Sequence, residues 1–233
     1  MGTFAIVPIL AFNVGLLQQL PSARQPGFPP YKVEWENDAV RVARVILSPG
    51  QRTTAESSSG AVIVFLTADL NGRMPKAEAA WQEPGPIDLE NHGPARFEAV
   101  IIQFKQPPLR GVAAPWVPPA YAASGSAVWP MSASGWPLYG YEPVKFQTVI
   151  DRLGLSVTKE RHPATTLVDP FCIDQNDTIV VYLRGGYIWS AESWYSRAVR
   201  VRRGDVRVLP ANALYTLSNA GSDPSEFVVI ARR

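Results

Sequence analysis

Two runs of five apolar residues, VIVFL at 62–66 and IVVYL at 179–183, interrupt a chain that otherwise mixes apolar and polar positions. Runs of this length are too short for a helix and predict strands buried on both faces, as in a sandwich or barrel. Around them the pattern changes to segments rich in Val and Ile. These are AVRVARVIL at 39–47, YIWS at 187–190, RAVRVRR at 197–203 and DVRVL at 205–209, with KFQTVIDRLGLSV at 145–157 read as the partner of the 39–47 segment. Turn chemistry separates them: SPGQ at 48–51, Asn71-Gly72, Gly185-Gly186 and Arg203-Gly204-Asp205. Almost no segment carries the three-to-four residue period of an amphipathic helix, so the chain reads as all-β.

The same pattern occurs twice. LENHGPARFEAVII at 89–102 and LSNAGSDPSEFVVI at 217–230 share the frame L-x-N-x-G, each followed seven residues after the Gly by a β-branched run. Leu89, Asn91 and Gly93 correspond to Leu217, Asn219 and Gly221, and the two five-residue runs upstream form a second matching pair. From the first element to the second there are 23 residues in copy one (Leu66 to Leu89) and 34 in copy two (Leu183 to Leu217), so copy two has room for more strands.

Composition fits an ordered globular protein of 233 residues: 46% hydrophobic, 10% aromatic and 18% charged. A net charge of +2 gives no concentrated basic surface and no reason to expect nucleic acid. Twenty-two Pro and 17 Gly suit many short strands and turns. Cys172 is the only cysteine, which excludes an intramolecular disulfide and a thiolate cluster.

Two segments stand apart. FAIVPILAFNVGLL at 4–17 has the length of a signal-peptide core, and PSA at 21–23 offers small residues before a cleavage point, but no Lys or Arg precedes it and it is too short to span a membrane. Packing of this 1–30 arm against the body is preferred to a cleaved export signal, and localisation, cytoplasmic or exported, stays open. Residues 106–143 are rich in Pro, Gly, Ala and Ser, yet carry Trp116, Tyr121, Trp129, Trp136, Tyr139 and Tyr141. That is too much aromatic surface for a free linker, so the segment is expected to wrap across the body with its rings tucked in.

GDVRVLPANALYTLSN, residues 204–219, has the spacing G-x5-P-x-G-x2-H-x3-N, with Gly204, Pro210 and Asn219 in place, Asn212 at the second Gly and Tyr215 at the His. In this it resembles the second motif of the cupin superfamily, and WENDAVRVARVILSPGQ at 35–51 is similar to the entry to the first motif. The resemblance covers roughly 31–105 and 144–233. It implies an all-β bicupin: two cupin-type jelly-roll barrels (double-stranded β-helices) in one chain, joined by 106–143. In metal-binding cupins His-x-His, a Glu and a further His point into the barrel. Counting here puts Glu56, Ser58 and Ile87 at such positions in copy one. In copy two it puts either Cys172, Asp174 and Ile179, or Glu160 and His162, with Tyr215 as the last member. His92 and His162, the only histidines, lie in different copies, so no three-histidine site is available. No metal and no cofactor is expected.

The candidate chemistry therefore concentrates in copy two. Tyr215 serves as proton donor or ligand anchor with His162 or Glu160 as partner, or it is a core tyrosine whose hydroxyl is satisfied by Asp174, Asn176 or Glu160. Cys172 is a nucleophile only beside a base, and otherwise a buried thiol. Tyr187 and Trp189 share one side of a strand and line a barrel mouth, where they stack on a flat or sugar-like ligand, or else belong to core or seam. Arg200 and Arg202 share a face that grips a carboxylate or phosphate, or is simply solvated. Two functions follow: a metal-free cupin that binds a small molecule or acts in assembly, with a homodimer left open, and a metal-independent acid–base enzyme of the epimerase or isomerase kind. No nucleotide-binding Gly loop, Gly-x-Ser-x-Gly elbow or His-Glu-x-x-His is present.

Overall fold

The computed structural model describes residues 30–68, 70–71, 78–107, 144–152, 154–164, 171–172, 177–191, 196–211, 214–215 and 218–232. The N-terminal arm up to residue 29 and the connection from 108 to 143 lie outside them. The first copy contributes β1 (Tyr31–Glu36), β2 (Val40–Leu47), β3 (Arg52–Ser57), β4 (Ala61–Phe65), β5 (Ala79–Gln82), β6 (Gly85–Glu90) and β7 (Phe97–Phe104). The second contributes β8 (Lys145–Arg152), β9 (Leu155–His162), β10 (Phe171–Cys172), β11 (Thr178–Tyr182), β12 (Gly186–Ala191), β13 (Ser196–Val201), β14 (Val206–Leu209), β15 (Leu214–Tyr215) and β16 (Ser225–Arg232). No helix occurs among the described residues.

The two copies build the same sheet. One has the order β1-β2-β7-β4-β5 and the other β8-β9-β16-β11-β14, all pairs antiparallel. Register matches residue for residue. Val100 lies between Val64 and Arg44, and Val228 lies between Val181 and Lys159. Both outer strands carry a bulge at the same place, between Val33 and Trp35 opposite Ala43 and Val42, and between Thr148 and Ile150 opposite Thr158 and Val157. A second, smaller layer pairs β3 with β6 and β10 with β15. Copy two adds the β12–β13 hairpin, whose Ile188 bridges to Asn219. Its longer spacing is thus filled by a hairpin that the described residues of copy one lack.

The shared L-x-N-x-G frame has a mechanical explanation. Asn91 is buried, and its Nδ2 donates to the carbonyls of Leu47 (3.0 Å) and Ala95 (2.8 Å) while its Oδ1 accepts from Gly93 N–H (3.0 Å). Asn219 repeats this with the carbonyls of Pro163 (2.8 Å) and Asp223 (2.7 Å) and with Gly221 N–H (2.9 Å). Each Asn satisfies buried backbone groups where a strand leaves the sheet, and thereby fixes the turn.

The expected 145–157 strand is corrected by the structure: it is a hairpin, β8 and β9, folded at Gly154, whose φ of 78° is left-handed and suits only a residue without Cβ. The apolar positions on either side had masked the turn.

Alternation along each strand divides the core into three. Val42, Val64, Val100 and Ile102 of copy one meet Leu155, Val157, Val181, Val228 and Ile230 of copy two in a single cluster between the two five-stranded sheets. On the other side of the first sheet, Val45, Leu47, Ile63, Ile87, Phe97 and Ile101 fill jelly roll one. On the other side of the second, Val180, Tyr182, Ile188, Val201, Leu209 and Phe227 line jelly roll two. Each fully buried aliphatic or aromatic side chain contributes about 1.5–3 kcal/mol, so the common cluster binds the two copies as firmly as either interior binds its own strands.

Ion pairs close the rim of this seam with approximate twofold symmetry. The half-buried Arg44 guanidinium donates to both carboxylate oxygens of Glu34 (2.6 and 3.1 Å), to Glu98 (3.0 Å) and across the seam to the Gly204 carbonyl (2.5 Å). Lys159, at the position matching Arg44, reaches back across to Glu78 (2.5 Å) and lies 3.8 Å from Glu226, which matches Glu98. Gly204, the first residue of the cupin-like motif, thus sits where copy two docks on copy one.

Candidate functional site

Register alone identifies the inner face of the second sheet. Ile179 and Val181 point into the common cluster, so Thr178, Val180 and Tyr182 point into jelly roll two. By the same rule β9 turns Ser156, Thr158, Glu160 and His162 inward, β16 turns Ser225, Phe227 and Val229 inward, and β14 turns Arg207 and Leu209 inward. This is a polar interior, in contrast with jelly roll one. At the matching positions Glu160 replaces Val45, His162 replaces Leu47, Tyr182 replaces Phe65 and Ser225 replaces Phe97.

These residues form one constellation around Phe227. His162 is 1% exposed, its ring lies 4.8 Å from that of Phe227, and its Nε2 is 3.0 Å from Glu160 Oε2. Spacing of two along a strand puts Glu160 and His162 on one face, and an ionised Glu160 can only accept, so Nε2 carries the shared proton. The other ring nitrogen, Nδ1, is buried with no hydrogen-bond partner among the described residues. Ser225, cross-strand from His162, has a buried hydroxyl in the same state. So has Tyr182, whose ring meets Phe227 edge-on at 5.7 Å. Burial pushes the Tyr182 phenol up to about 12, and the nearby Arg207 guanidinium offsets this in part. Tyr182 therefore stays a hydrogen-bond donor at every physiological pH. Three orphaned buried polar atoms in one interior are uncommon, since such groups cost about 1–3 kcal/mol each when unsatisfied.

The sequence candidates fall into three groups. Glu160 and His162 come together, but on β9 of the large sheet rather than on the strand facing Tyr215. Tyr215 and Cys172 lie on β15 and β10, where Tyr215 pairs with Phe171 and Cys172 with Leu214. Their side chains, like Asp174 and Asn176, lie outside the described residues. Tyr187, Trp189, Arg200 and Arg202 occupy the hairpin face opposite to Ile188, Val199 and Val201, which pack inward. Tyr187 is 49% exposed and directly opposite the exposed Arg200, while the Arg202 N–H donates to Asp205. In copy one the counted Glu56 and Ser58 are exposed, whereas Ala55 and Ser57 are buried; the inward register is one residue earlier than the counting from SPG implied. Ile87 is 1% exposed, paired with Ala55, in the jelly-roll-one core.

Tyr182, Ser225 and Arg207 were missed by sequence reasoning. The signal was present: VIVFL against IVVYL sets Phe65 against Tyr182, and extending the L-x-N-x-G frame sets Phe97 against Ser225.

The described donors do not fit a cupin-type metal centre. In jelly roll one the interior is largely hydrocarbon, with Gln103 and Ser57 as buried polar groups already hydrogen-bonded at its rim. In jelly roll two one imidazole and one carboxylate already engage each other, a guanidinium shares their face, and no group of three His, Cys, Asp or Glu converges among the described residues.

No family model matches the sequence, and no curated protein matches it. Solved structures do. A cupin 2 conserved barrel domain protein from Leptotrichia buccalis covers 87% of this chain and 88% of its own at 11% identity, with a TM-score of 0.51. A salicylate 1,2-dioxygenase from Pseudaminobacter salicylatoxidans covers 84% and 71% at 11% identity (TM-score 0.53). Oxalate decarboxylase from Lactobacillus farciminis covers 84% and 78% at 11% identity (TM-score 0.52). Likeness at this identity is likeness of fold.

Proposed function

We propose that this chain of cupin fold, with two jelly rolls in tandem, is a metal-free member of that architecture which binds a small molecule inside jelly roll two, with Glu160, His162, Tyr182 and Ser225 as polar contacts and Phe227 as the apolar wall. One observation carries this reading: four inner positions that are Val45, Leu47, Phe65 and Phe97 in copy one are all polar at the matching places in copy two. A core selected only for stability has no use for orphaned polar atoms. A ligand that supplies their hydrogen bonds accounts for them.

The test combines metal analysis with a ligand screen by thermal shift on the full chain. Less than about 0.1 equivalent of Fe, Mn, Ni, Cu or Zn is expected, and a stoichiometric ion would overturn the metal-free assignment. Hits are expected to lose at least tenfold in affinity in Tyr182→Phe and in His162→Leu, the residue of copy one; hits indifferent to both substitutions would refute the location.

A second reading has one observation in its favour. The buried Glu160–His162 pair at 3.0 Å is the arrangement in which a carboxylate orients an imidazole for proton transfer, as a metal-independent epimerase or isomerase needs. Ligand turnover lost in His162→Gln with binding retained would select the enzyme; a ligand recovered unchanged from wild type selects the binding protein.

A further inference from the structure

A groove of about 400 Å³ opens at the other jelly roll, where β2 begins and β3 and β7 end. Its lining is Arg41, Glu56, Ser57, Ser58, Gln103 and Lys105, with Phe104 behind. We propose that this rim groove binds a small carboxylic acid that also carries a hydroxyl or amino group, the carboxylate on Arg41 and Lys105 and the donor on Glu56.

The floor is held in place by its own hydrogen bonds. Tyr31 OH donates to Gln103 Oε1 (2.6 Å), Gln103 Nε2 donates to the Glu56 carbonyl (2.7 Å), and the buried Ser57 hydroxyl donates to the Gly60 carbonyl (2.6 Å). Apart from the second N–H of Gln103 Nε2, none of these groups has a donor to spare for a ligand. The cationic wall does. Arg41 commits Nη2 to Glu36 (2.9 Å) and also engages the Tyr31 hydroxyl, while its Nε–H is buried with no partner among the described residues. Lys105 commits one of its three donors, also to Glu36 (2.7 Å). Glu36 thus holds two cations side by side and neutralises only one of them, which leaves one positive charge and several N–H groups at the rim.

The Glu56 carboxylate narrows the choice. It is exposed on the groove wall and makes no hydrogen bond or ion pair among the described residues. A plain dianion would be repelled by it, whereas a ligand with one carboxylate and one donor satisfies both walls. The groove volume admits a molecule of a few to about a dozen heavy atoms. At the matching places of copy two stand Ser156 for Arg41 and Ala231 for Gln103, so the device belongs to copy one alone.

The test is isothermal titration of the full chain with L-serine, L-lactate, acetate and inorganic phosphate. Serine or lactate is expected to bind at least tenfold more tightly than acetate or phosphate. Arg41→Gln and Lys105→Gln should each weaken that binding tenfold or more, and Glu56→Gln should remove the preference over acetate. Because Arg41 also tethers Glu36, Ser58→Trp serves as a second variant: it touches no ion pair, fills the groove from an exposed position, and should abolish binding with unfolding unchanged. Absence of binding by all four probes up to 50-fold molar excess at millimolar protein, or binding indifferent to Ser58→Trp, would overturn the proposal. So would tightest binding by phosphate.

Discussion

Gly204→Ala should cost far more than a surface turn substitution, because two separate penalties meet there. Gly204 has a φ of 82°, and an L side chain in that region costs about 1–2 kcal/mol. A Cβ would also stand 2.6 Å from Arg44 Nη1 and 2.7 Å from Leu66 Cδ1, both inside contact distance. Arg44 cannot swing aside freely, since its guanidinium is held by Glu34, Glu98 and the Gly204 carbonyl itself. Breaking one charge-assisted hydrogen bond at this place costs about 1.5–3 kcal/mol, which brings the total to about 3–5 kcal/mol. Urea unfolding should show the midpoint falling by about 1–2 M. The two penalties separate in a double-mutant cycle with Arg44→Lys, a residue that the repeat already accommodates as Lys159. In that background Gly204→Ala should cost only the backbone part and the Leu66 contact, so a coupling of about 1.5 kcal/mol or more is expected from the Arg44 contact. Costs that add to within about 0.5 kcal/mol would refute the Arg44 contact and leave φ and Leu66 as the whole explanation.

Two further outcomes follow from buried polar groups. Tyr182 has a folded pKa of about 12 against an ordinary value of 10.0, a raised value, so its contribution is fully present below pH 10 and is lost as pH rises from 10 through 12. Between pH 9 and pH 11.5 wild type should lose about 2 kcal/mol relative to Tyr182→Phe, read as the difference of their unfolding midpoints at the two pH values; parallel curves would contradict the burial of the phenol. Asn91→Ala removes three buried hydrogen bonds and should cost about 2–4 kcal/mol, seen as a drop in Tm of several degrees, with Asn219→Ala behaving alike and an unchanged Tm refuting the anchor role.

The elements that sequence made legible are those whose physics is local. Positions 62–66 and 179–183 read as doubly buried strands because two apolar layers flank them, and the structure supplies both layers. The L-x-N-x-G frame read as a repeat because buried Asn91 and Asn219 do the same work with the same backbone groups. The 145–157 hairpin was hidden because Gly154 is a lone turn residue between two β-like runs. The site was half legible for a related reason. Glu160 and His162 stood out by residue type, but Tyr182 lay within a run that looks uniformly apolar, and Arg207 lay in a basic stretch that looks uniformly solvated. Only the pairing of β11 with β14 and β16 shows that these two residues face the same interior. The off-by-one placement of Glu56 and Ser58 has the period of two as its cause: one residue of miscounting exchanges inside for outside.

The same period explains why the two copies differ where they do. Each strand of the large sheets presents one face to the common cluster and the other to its own jelly roll. On the shared face, residues must fit a partner sheet that is itself a copy, and there Val42 and Val157, Val64 and Val181, Val100 and Val228, and Ile102 and Ile230 match in type. Arg44 and Lys159 match as cations for the same reason, each reaching across the seam. Facing inward, no such reciprocity applies, and Ala43, Val45 and Leu47 stand opposite in sequence to Thr158, Glu160 and His162. Divergence on the shared face falls at its margin, where Phe104 and Ile46 of copy one match Arg232 and Arg161 of copy two, while the middle of that face is kept. The central valines of the seam survive in both copies, whereas the inward face of copy two replaces hydrocarbon by polar groups at Thr158, Glu160 and His162 of β9.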